Sequence, residues 1–236
     1  MREAEASEAV LPGDPPVAVA LRRSGRARRL SLRVSGLDGR ATLTLPSRVP
    51  LREGMAFLHS REAWLRAHLT SAPAPRAPAF GGTLPFEGEE VPVRPAPLRR
   101  AAFAGGAILA PADPARLGVH LAAFYKAAAL ERLAAACDRH AQALGRPYRA
   151  LALRDPRSRW GSCGTSGRLM FSWRLVMAPP AVLDAVAGHE VAHLARMDHS
   201  PAFWTVLDRL CPGHRAARAW LREHGAELHR VRLADA

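Results

Sequence analysis

Long hydrophobic runs are missing from this chain of 236 residues. It has no stretch of about 18 uninterrupted apolar residues, which is roughly the length that a membrane-spanning helix needs. Residues 1–10 are acidic and polar rather than basic and then apolar, so they do not resemble a secretory signal. We therefore expect a soluble, unexported protein with no membrane partner.

Cysteine is also scarce. Cys137, Cys163 and Cys211 are far apart in the chain and form no C-x-x-C pair. Disulfide frameworks and zinc ribbons need regularly spaced cysteines, so we expect neither, and a reduced, cytoplasmic setting fits best. Cys163 is either a thiol nucleophile or a small buried hydrophobe, and the lack of a histidine beside it in sequence favours the second interpretation.

Lysine occurs once, at Lys126, although the formal net charge is +13. Arginine supplies the excess, and one short segment is crowded with it: Arg22, Arg23, Arg26, Arg28, Arg29 and Arg33. Such a segment is compatible with nucleic-acid binding through phosphate contacts. The excess is nevertheless spread along the chain rather than gathered in one patch. We favour a solvated basic surface, and a nucleic-acid partner stays open.

Hydrophobic periodicity predicts an α+β protein with a strand-rich N-terminal half. Alternation indicates strands over residues 17–21, 30–34 and 41–45, followed by one amphipathic helix over 51–69 and a hairpin over 80–93 that turns near Glu87-Gly88. Residues 71–79, rich in proline and alanine, are typical of an extended connector.

A long helix is predicted from Asp113-Pro114 to a stop at Gly145, with three strands following over residues 148–154, 158–162 and 168–175. We place a domain boundary near residue 112. This gives a β-rich region with one helix over residues 1–112 and a second domain over residues 113–236, with one continuous fold as the alternative.

The strongest chemical signal is the HExxH run His189-Glu190-Val191-Ala192-His193. Residues four apart on a helix differ by about 40° in azimuth, so both imidazoles project from one face and can share a Zn²⁺ ion. Glu190 lies beside that face, where its carboxylate can act as general base on a metal-activated water. The alternative is a pair of helix-surface histidines that bind no metal.

His199 is the candidate third ligand. A continuous helix would rotate it by about 240° from His193, away from the metal. Ser200-Pro201 predicts a new helix, because serine is a favoured N-cap and proline a favoured first helical residue. A compact turn over residues 194–198 would then return His199 to the pair, with Phe203 and Trp204 of the new helix as scaffold. The alternative is that His199 only packs against other residues and binds no metal.

These residues resemble the YgjP-like metallopeptidases, whose zinc core is similar to that of SprT-like proteases. The resemblance is carried by the HExxH run together with Arg159-Trp160-Gly161-Ser162-Cys163, Trp173-Arg174-Leu175 and His199-Ser200-Pro201-Ala202-Phe203-Trp204. It spans nearly the whole chain, most specifically residues 157–225. It implies a gluzincin-like enzyme with a zincin-like core, in which a zinc helix packs on a small antiparallel sheet.

Three positions depart from related patterns. Arg196 stands where metzincins, which share this histidine spacing, have a turn glycine, so a metzincin is not expected. His214 occupies a position where YgjP-like proteins commonly have tyrosine. Gly188, inside the predicted zinc helix, should cost about 1 kcal/mol against alanine, and a closely approaching backbone would account for it.

Four further residues are candidates for substrate contact: Trp160, Gly161, Ser162 and Arg174. We expect residues 160–163 near an unpaired sheet edge that an extended peptide can join through backbone hydrogen bonds. Trp160 is either a pocket wall or ordinary core, and core is favoured. Arg174 either stabilises the oxyanion or forms a surface salt bridge.

The sequence therefore predicts a zinc-dependent peptidase that acts on a peptide or protein. One alternative is a nucleic-acid-associated, SprT-like protease of DNA-bound polypeptides, and another is a non-catalytic zinc-binding module. Glu190 argues against the module, because a structural zinc site normally closes with a fourth protein ligand and needs no such carboxylate.

Overall fold

The computed structural model describes residues 7–35, 39–70 and 75–233. The chain divides into two compact units, Met1–Pro75 and Arg76–Ala236. This division falls in the connector predicted over residues 71–79, of which residues 71–74 lie outside the described residues. The boundary expected near residue 112 falls inside the second unit.

The first unit contains a four-stranded sheet. Its strands are β1 (Ser7–Leu11), β2 (Val17–Ser24), β3 (Ser31–Val34) and β4 (Ala41–Pro46), in the order β1-β2-β4-β3. Strand β4 runs parallel to β2, and the other two pairings are antiparallel. Burial alternates along β2 and β4, because successive side chains of a strand point to opposite faces.

Two helices complete this unit, where the sequence predicts one. They are α1 (Leu51–Ser60) and α2 (Glu62–Thr70), and Arg61 separates them with φ −109° and ψ 9°. Leu58 and Leu65 on either side of the break are both fully buried. The helical spacing of apolar residues therefore continues across the break, so periodicity alone could not reveal it.

The second unit begins with another four-stranded sheet. Its strands are β5 (Thr83–Phe86), β6 (Glu89–Ala96), β7 (Ala102–Ala104) and β8 (Ala107–Pro111), in the order β5-β6-β8-β7. Glu87 and Gly88, both with positive φ, form the predicted turn between β5 and β6.

Helix α3 (Leu117–Leu144) follows, after a 3-10 turn capped by Asp113, and it ends at Gly145 with φ 70°. Buried residues of β6 and β8, such as Val93 and Ile108, share one hydrophobic core with Leu121 of this helix. These strands therefore belong with the residues that follow them.

A small three-stranded sheet lies beyond α3. It contains β9 (Ala150–Arg154), β10 (Gly161–Cys163) and β11 (Arg168–Ser172), in the order β10-β11-β9. Strand β10 is antiparallel to β11, but β9 is parallel to it, so the sheet expected to be antiparallel is mixed. The strand predicted over residues 168–175 ends at Ser172, and a buried 3-10 turn, Trp173–Met177, follows.

Three helices finish the unit: α4 (Pro180–Ala192), α5 (Pro201–Leu210) and α6 (His214–Leu228). Helix α4 contacts α3, α5, α6 and β10. Most of its own residues are apolar and buried, as is typical of a central helix. Within the described residues, no helix has the length and apolar character needed to cross a membrane.

Candidate metal centre

Three histidine side chains converge at the C-terminal end of α4. His189 lies in its last turn, His193 follows the helix end, and His199 lies just before α5. One candidate ligand atom from each lies within 4.8 Å of the others. Atoms Nε2 of His189 and His199 are 3.3 Å apart. This set, called the histidine group below, could hold a metal ion.

A tight turn after α4 returns His199 to the helix end. The helix ends at Ala192, and the N–H groups of residues 194 and 195 donate to carbonyls three positions back. Helix α5 starts at Pro201, as predicted. The Ser200 side chain, however, donates to Asp198 Oδ1 at 2.7 Å and makes no cap hydrogen bond.

Aromatic residues of α5 hold the imidazoles in place. The fully buried Phe203 contacts all three rings of the histidine group, with centroid distances from 4.5 to 5.0 Å. Trp204 donates through Nε1 to the backbone carbonyl of His199 at 3.0 Å. The sequence predicts these two residues as scaffold, and the structure adds direct ring contact with the histidines.

Burial favours the neutral form of His189 and His193. It lowers the pKa of His189 to about 4, with further lowering from His193 and His199 nearby. Burial likewise lowers the pKa of His193. The ring atom Nδ1 of His193 lies 2.9 Å from the Arg196 carbonyl and donates to it, which leaves the Nε2 lone pair for a metal.

Glu190 is buried on the same helix and lies against β10. A Cβ atom on Gly161 would come within 2.7 Å of the Glu190 Oε1 atom, so only glycine fits there without displacing the carboxylate. Burial raises the pKa of Glu190 to about 7, against the opposing effects of a hydrogen bond from the Cys163 backbone and the charge of Arg159. A carboxyl group with that pKa can both accept and return a proton near neutral pH.

Strand β10 forms one edge of its sheet. The Trp160 carbonyl accepts from Ser172 N, and Gly164 N donates to Arg168 O. The backbone groups of Trp160 and Gly164 therefore point toward β11. Alternate residues of an antiparallel strand turn their backbone groups to opposite sides. The backbone groups of Gly161 and Cys163 therefore face away from β11, which is why Cys163 N–H can reach Glu190.

A cleft of about 700 Å³ adjoins the histidine group. It lies between α4 and α6, and the segment that leads into β10 borders it. Its polar lining residues are Ser158, Arg159, His189, Glu190, His199, His214 and Arg218. Its remaining lining residues are small or apolar: Trp160, Gly161, Ala185, Val186, Trp204, Ala217 and Leu221.

Trp160 combines the two roles considered from sequence. The half-buried indole lines the cleft, and it also packs closely on Gly225 and His229 of the C-terminal region. Ser162, in contrast, does not line the cleft, and its backbone pairs with Met170 of β11. Cys163 contributes its backbone, and burial raises the pKa of its thiol, which fits the interpretation as a small hydrophobe.

Arg174 does not line the cleft. Its Nε and Nη2 atoms donate to the two carboxylate oxygens of Asp155 at 2.7 and 3.0 Å. Its Nη1 atom donates to the carbonyls of Leu228 and Val231 at 2.8 and 2.9 Å. Of the two alternatives for Arg174, the geometry favours the ion pair over the oxyanion role, because these donors join the Asp155 loop to the end of α6.

Side chains, rather than an approaching backbone, explain Gly188. A Cβ atom at this position would lie 3.2 Å from His140 Nε2 and 3.3 Å from Cys211 Cβ. His140 itself comes from α3 and lies 3.1 Å from Asp184 Oδ1. The glycine thus allows α3 to pack closely behind the helix that carries His189.

An α+β unit in which three imidazoles converge beside a buried glutamate is the arrangement of a metal-dependent hydrolase. The chain belongs to the YgjP-like family, because the profile described as "YgjP-like, metallopeptidase domain" matches residues 28–224. Comparisons with curated proteins and with solved structures returned no match. Family membership indicates a metal-dependent peptidase and implies a divalent metal, for which the histidine group is suited.

Proposed function

We propose that this protein is a zinc-dependent peptidase in which His189, His193 and His199 bind the metal and Glu190 is the general base. The observation that carries the proposal is the position of Glu190, buried beside imidazoles whose candidate ligand atoms lie within 4.8 Å of one another. Membership of a metallopeptidase family supports it.

The donor set fits zinc. Tetrahedral bonds of about 2.0–2.1 Å to imidazole nitrogens place neighbouring ligand atoms roughly 3.3–3.4 Å apart. The Nε2 atoms of His189 and His199 are 3.3 Å apart. Three protein ligands and one open position are typical of catalytic rather than structural zinc sites, and bound zinc supplies a water whose pKa is lowered to roughly 7.

Glu190 performs the proton transfers in this proposal. Its carboxylate takes a proton from the attacking water and delivers it to the leaving amine. Gly161 leaves space for that carboxylate, and the Cys163 backbone N–H restrains it by a hydrogen bond. Both contacts come from β10, so the strand positions the base relative to the histidine group.

Strand β10 also offers a site for the substrate backbone. The N–H and C=O of Gly161 and the C=O of Cys163, which face outward and do not bind Glu190, can pair with an extended peptide without reading the peptide's sequence. The packing of α4 against β10, with β11 behind it, supports a zincin-like, gluzincin-type core. In that core the scissile amide would lie between the edge strand and the zinc helix.

A nucleic-acid-associated protease is a second candidate. All six arginines of the segment over β2 and β3 are exposed: Arg22, Arg23, Arg26, Arg28, Arg29 and Arg33. Arg23, however, also donates to the carbonyls of Ser47 and Val49, so part of this charge has a structural use. Binding to duplex DNA at about 50 mM salt that weakens steeply with added salt would support this candidate, and no binding at that salt concentration would eliminate it.

The substitution Glu190→Gln tests the peptidase proposal, because it keeps the side-chain shape and removes the base. We expect full zinc content and a loss of peptide hydrolysis of roughly 10²- to 10⁴-fold. Metal analysis and peptide release are measured on the same samples. Glu223→Gln, at an exposed position of α6, is the control and should leave both values unchanged. Undiminished turnover in zinc-loaded Glu190→Gln protein would refute the mechanism.

A further inference from the structure

We propose that the cleft selects peptides with a carboxylate close to the scissile bond, and that Arg159 and Arg218 bind this carboxylate. The inference rests on the proposed peptidase function and names its substrate class, acidic peptides. The carboxylate can belong to a Glu or Asp side chain or to the C-terminus of the peptide, which the experiment below distinguishes.

Arg159 lies near the general base. It precedes Gly161 by two residues, and two residues of extended chain span at most about 7 Å. Gly161 is in contact distance of the Glu190 side chain, and the charge of Arg159 acts on that carboxylate. The exposed guanidinium of Arg159 therefore stands at the edge of the reaction site.

Arg218 reaches the same cleft from another wall. It belongs to the face of α6 formed by residues 214, 217, 218 and 221, all of which line the cleft at helical spacing. Its guanidinium carbon lies 6.0 Å from the centroid of the Trp204 ring. Trp204 in turn holds the backbone of His199, so Arg218 stands on the side of the cleft that faces the histidine group.

Neither guanidinium forms a salt bridge in the part of the chain that the structure describes, and the charge of Arg159 acts on Glu190 without direct contact. Several other arginines of the second unit, in contrast, each form a salt bridge with a carboxylate: Arg76, Arg132, Arg139 and Arg174. Among the described lining residues, Glu190 is the sole carboxylate. Two exposed cations beside a metal site thus leave the cleft with an excess of positive charge.

A carboxylate balances this charge best. The planar fork of a guanidinium matches a carboxylate through two parallel hydrogen bonds. The cleft volume of about 700 Å³ is ample for several peptide side chains, and Ala185, Val186 and Ala217 provide an apolar wall for their stems.

A peptide fits the cleft better than single-stranded nucleic acid. Bases bind to proteins largely by stacking on free aromatic faces. Trp204 is stacked on His214 and lies below Arg218, while Trp160 packs on Gly225 and His229. The indoles of this cleft are therefore occupied by protein contacts.

The test uses short fluorogenic peptides that differ only in carrying Glu, Gln or Lys at each position around the cleaved bond, as free acids and as C-terminal amides. Zinc-loaded wild type should cleave the best Glu peptide about tenfold faster in kcat/KM than its Gln counterpart, and the Lys peptide slowest. Arg159→Gln and Arg218→Gln should each bring the Glu-to-Gln ratio toward one. Arg222→Gln, on α6 but outside the cleft, should preserve the wild-type Glu-to-Gln ratio.

The amidated peptides show which carboxylate is recognised. A preference lost on amidation identifies the C-terminal carboxylate as the recognised group.

Binding to zinc-loaded Glu190→Gln protein separates this inference from the peptidase proposal. Fluorescence polarisation with the labelled Glu and Gln peptides should show tighter binding of the Glu peptide, and adding either arginine substitution should abolish the difference. If wild type cleaves no peptide, the peptidase proposal fails and this binding difference alone decides the inference. Cleavage and binding without charge preference would overturn the inference but leave the peptidase. Tighter binding of a thymidine oligonucleotide than of the Glu peptide, lost in the same variants, would overturn it in favour of nucleic acid.

Discussion

Two sets of histidines in the second unit have different surroundings. In the histidine group His193 is buried, His189 is half-buried and His199 is exposed. Those of the histidine group lie beside one another, and none forms an ion pair with a carboxylate among the described residues. His140 and His214 are also buried, but each has a carboxylate neighbour. The Nε2 atoms of these two residues lie 3.1 Å from Asp184 Oδ1 and 2.8 Å from Asp208 Oδ1, respectively.

The difference shows that burial alone does not make a histidine a metal ligand. The Nε2 atoms of His140 and His214 face a carboxylate of the chain, whereas the candidate ligand atoms of the histidine group face one another. Burial without such a neighbour favours the neutral ring and leaves a lone pair free, as the lowered pKa values of His189 and His193 indicate. Substitutions in the two kinds of site should therefore have different consequences.

The largest effect is expected from His189→Ala. Changing a residue that only supports a metal ligand lowers metal affinity by up to about 100-fold. Removing one of the three ligands should therefore lower zinc affinity by at least that factor, and hydrolysis should disappear. His140→Gln, which keeps a side-chain partner for Asp184, should retain one zinc per chain. Chelator competition with metal analysis measures both. Equal zinc loss in the two variants would remove the distinction between the two kinds of histidine.

Arg174→Ala extends the comparison to arginines. It would leave the Leu228 and Val231 carbonyls and Asp155 without their donor, so we expect the free energy of unfolding to fall by about 3 kcal/mol. Arg218→Ala, which removes a guanidinium without an acidic partner, should change stability by less than about 0.5 kcal/mol. Urea denaturation of zinc-loaded protein compares them, and a similar small change in both would show that the buried contacts of Arg174 contribute little.

Gly161→Ala should displace the general base and leave the metal in place. Since misplacing a reacting group by about 1 Å can reduce a rate by roughly 100-fold, we expect kcat to fall by about that factor with zinc content unchanged. Gly164→Ala is a matched control, because a Cβ atom there meets no atom closer than 3.7 Å. The contact with Glu190 would be irrelevant to catalysis if both variants kept wild-type kcat.

His229 is a buried imidazole outside the histidine group. It tests whether burial favours the neutral ring there as well. Burial, with the nearby charge of Arg174, lowers its pKa to about 4. An unfolded chain protonates this residue near pH 6.5. Between these pH values the unfolded state binds more protons, so stability is lost as the pH falls from about 6.5 to about 4 and is unaffected above that range.

We expect His229→Gln to remove roughly 3 kcal/mol of this acid-induced loss, because the two pKa values differ by about 2.5 and one pKa unit corresponds to about 1.36 kcal/mol. Unfolding free energies measured across that pH range provide the test. His224→Gln, which changes a partly exposed histidine of α6, serves as the control. An unaltered pH dependence in His229→Gln protein would contradict the assignment.

Local geometry accounts for what the sequence predicted of the site. The spacing of His189 and His193 fixes them on one helical face, and Ser200-Pro201 marks the break that returns His199. The contact between Gly161 and Glu190 joins residues far apart in sequence, and so do the bonds from Arg174 to Leu228 and Val231. Such contacts follow from tertiary packing, so no local sequence pattern could predict them.

The same limit applies to the fold. The hairpin turn at Glu87 and Gly88 was predicted because turn residues have a local signature. The parallel pairing of β9 with β11 was not, since short strands carry no signal for their pairing direction. Nor did periodicity show that β5, β6 and β8 share a core with α3, because an apolar stripe does not identify the surface that it packs against.

Zinc X-ray absorption spectroscopy of purified wild-type protein, combined with metal analysis, tests the assignment of the histidine group as a zinc site. We expect one zinc per chain, bound by three imidazole nitrogens at about 2.0–2.1 Å and one oxygen ligand from solvent. A protein that takes up no divalent metal, or a zinc ion with a sulfur or a fourth protein ligand, would contradict it.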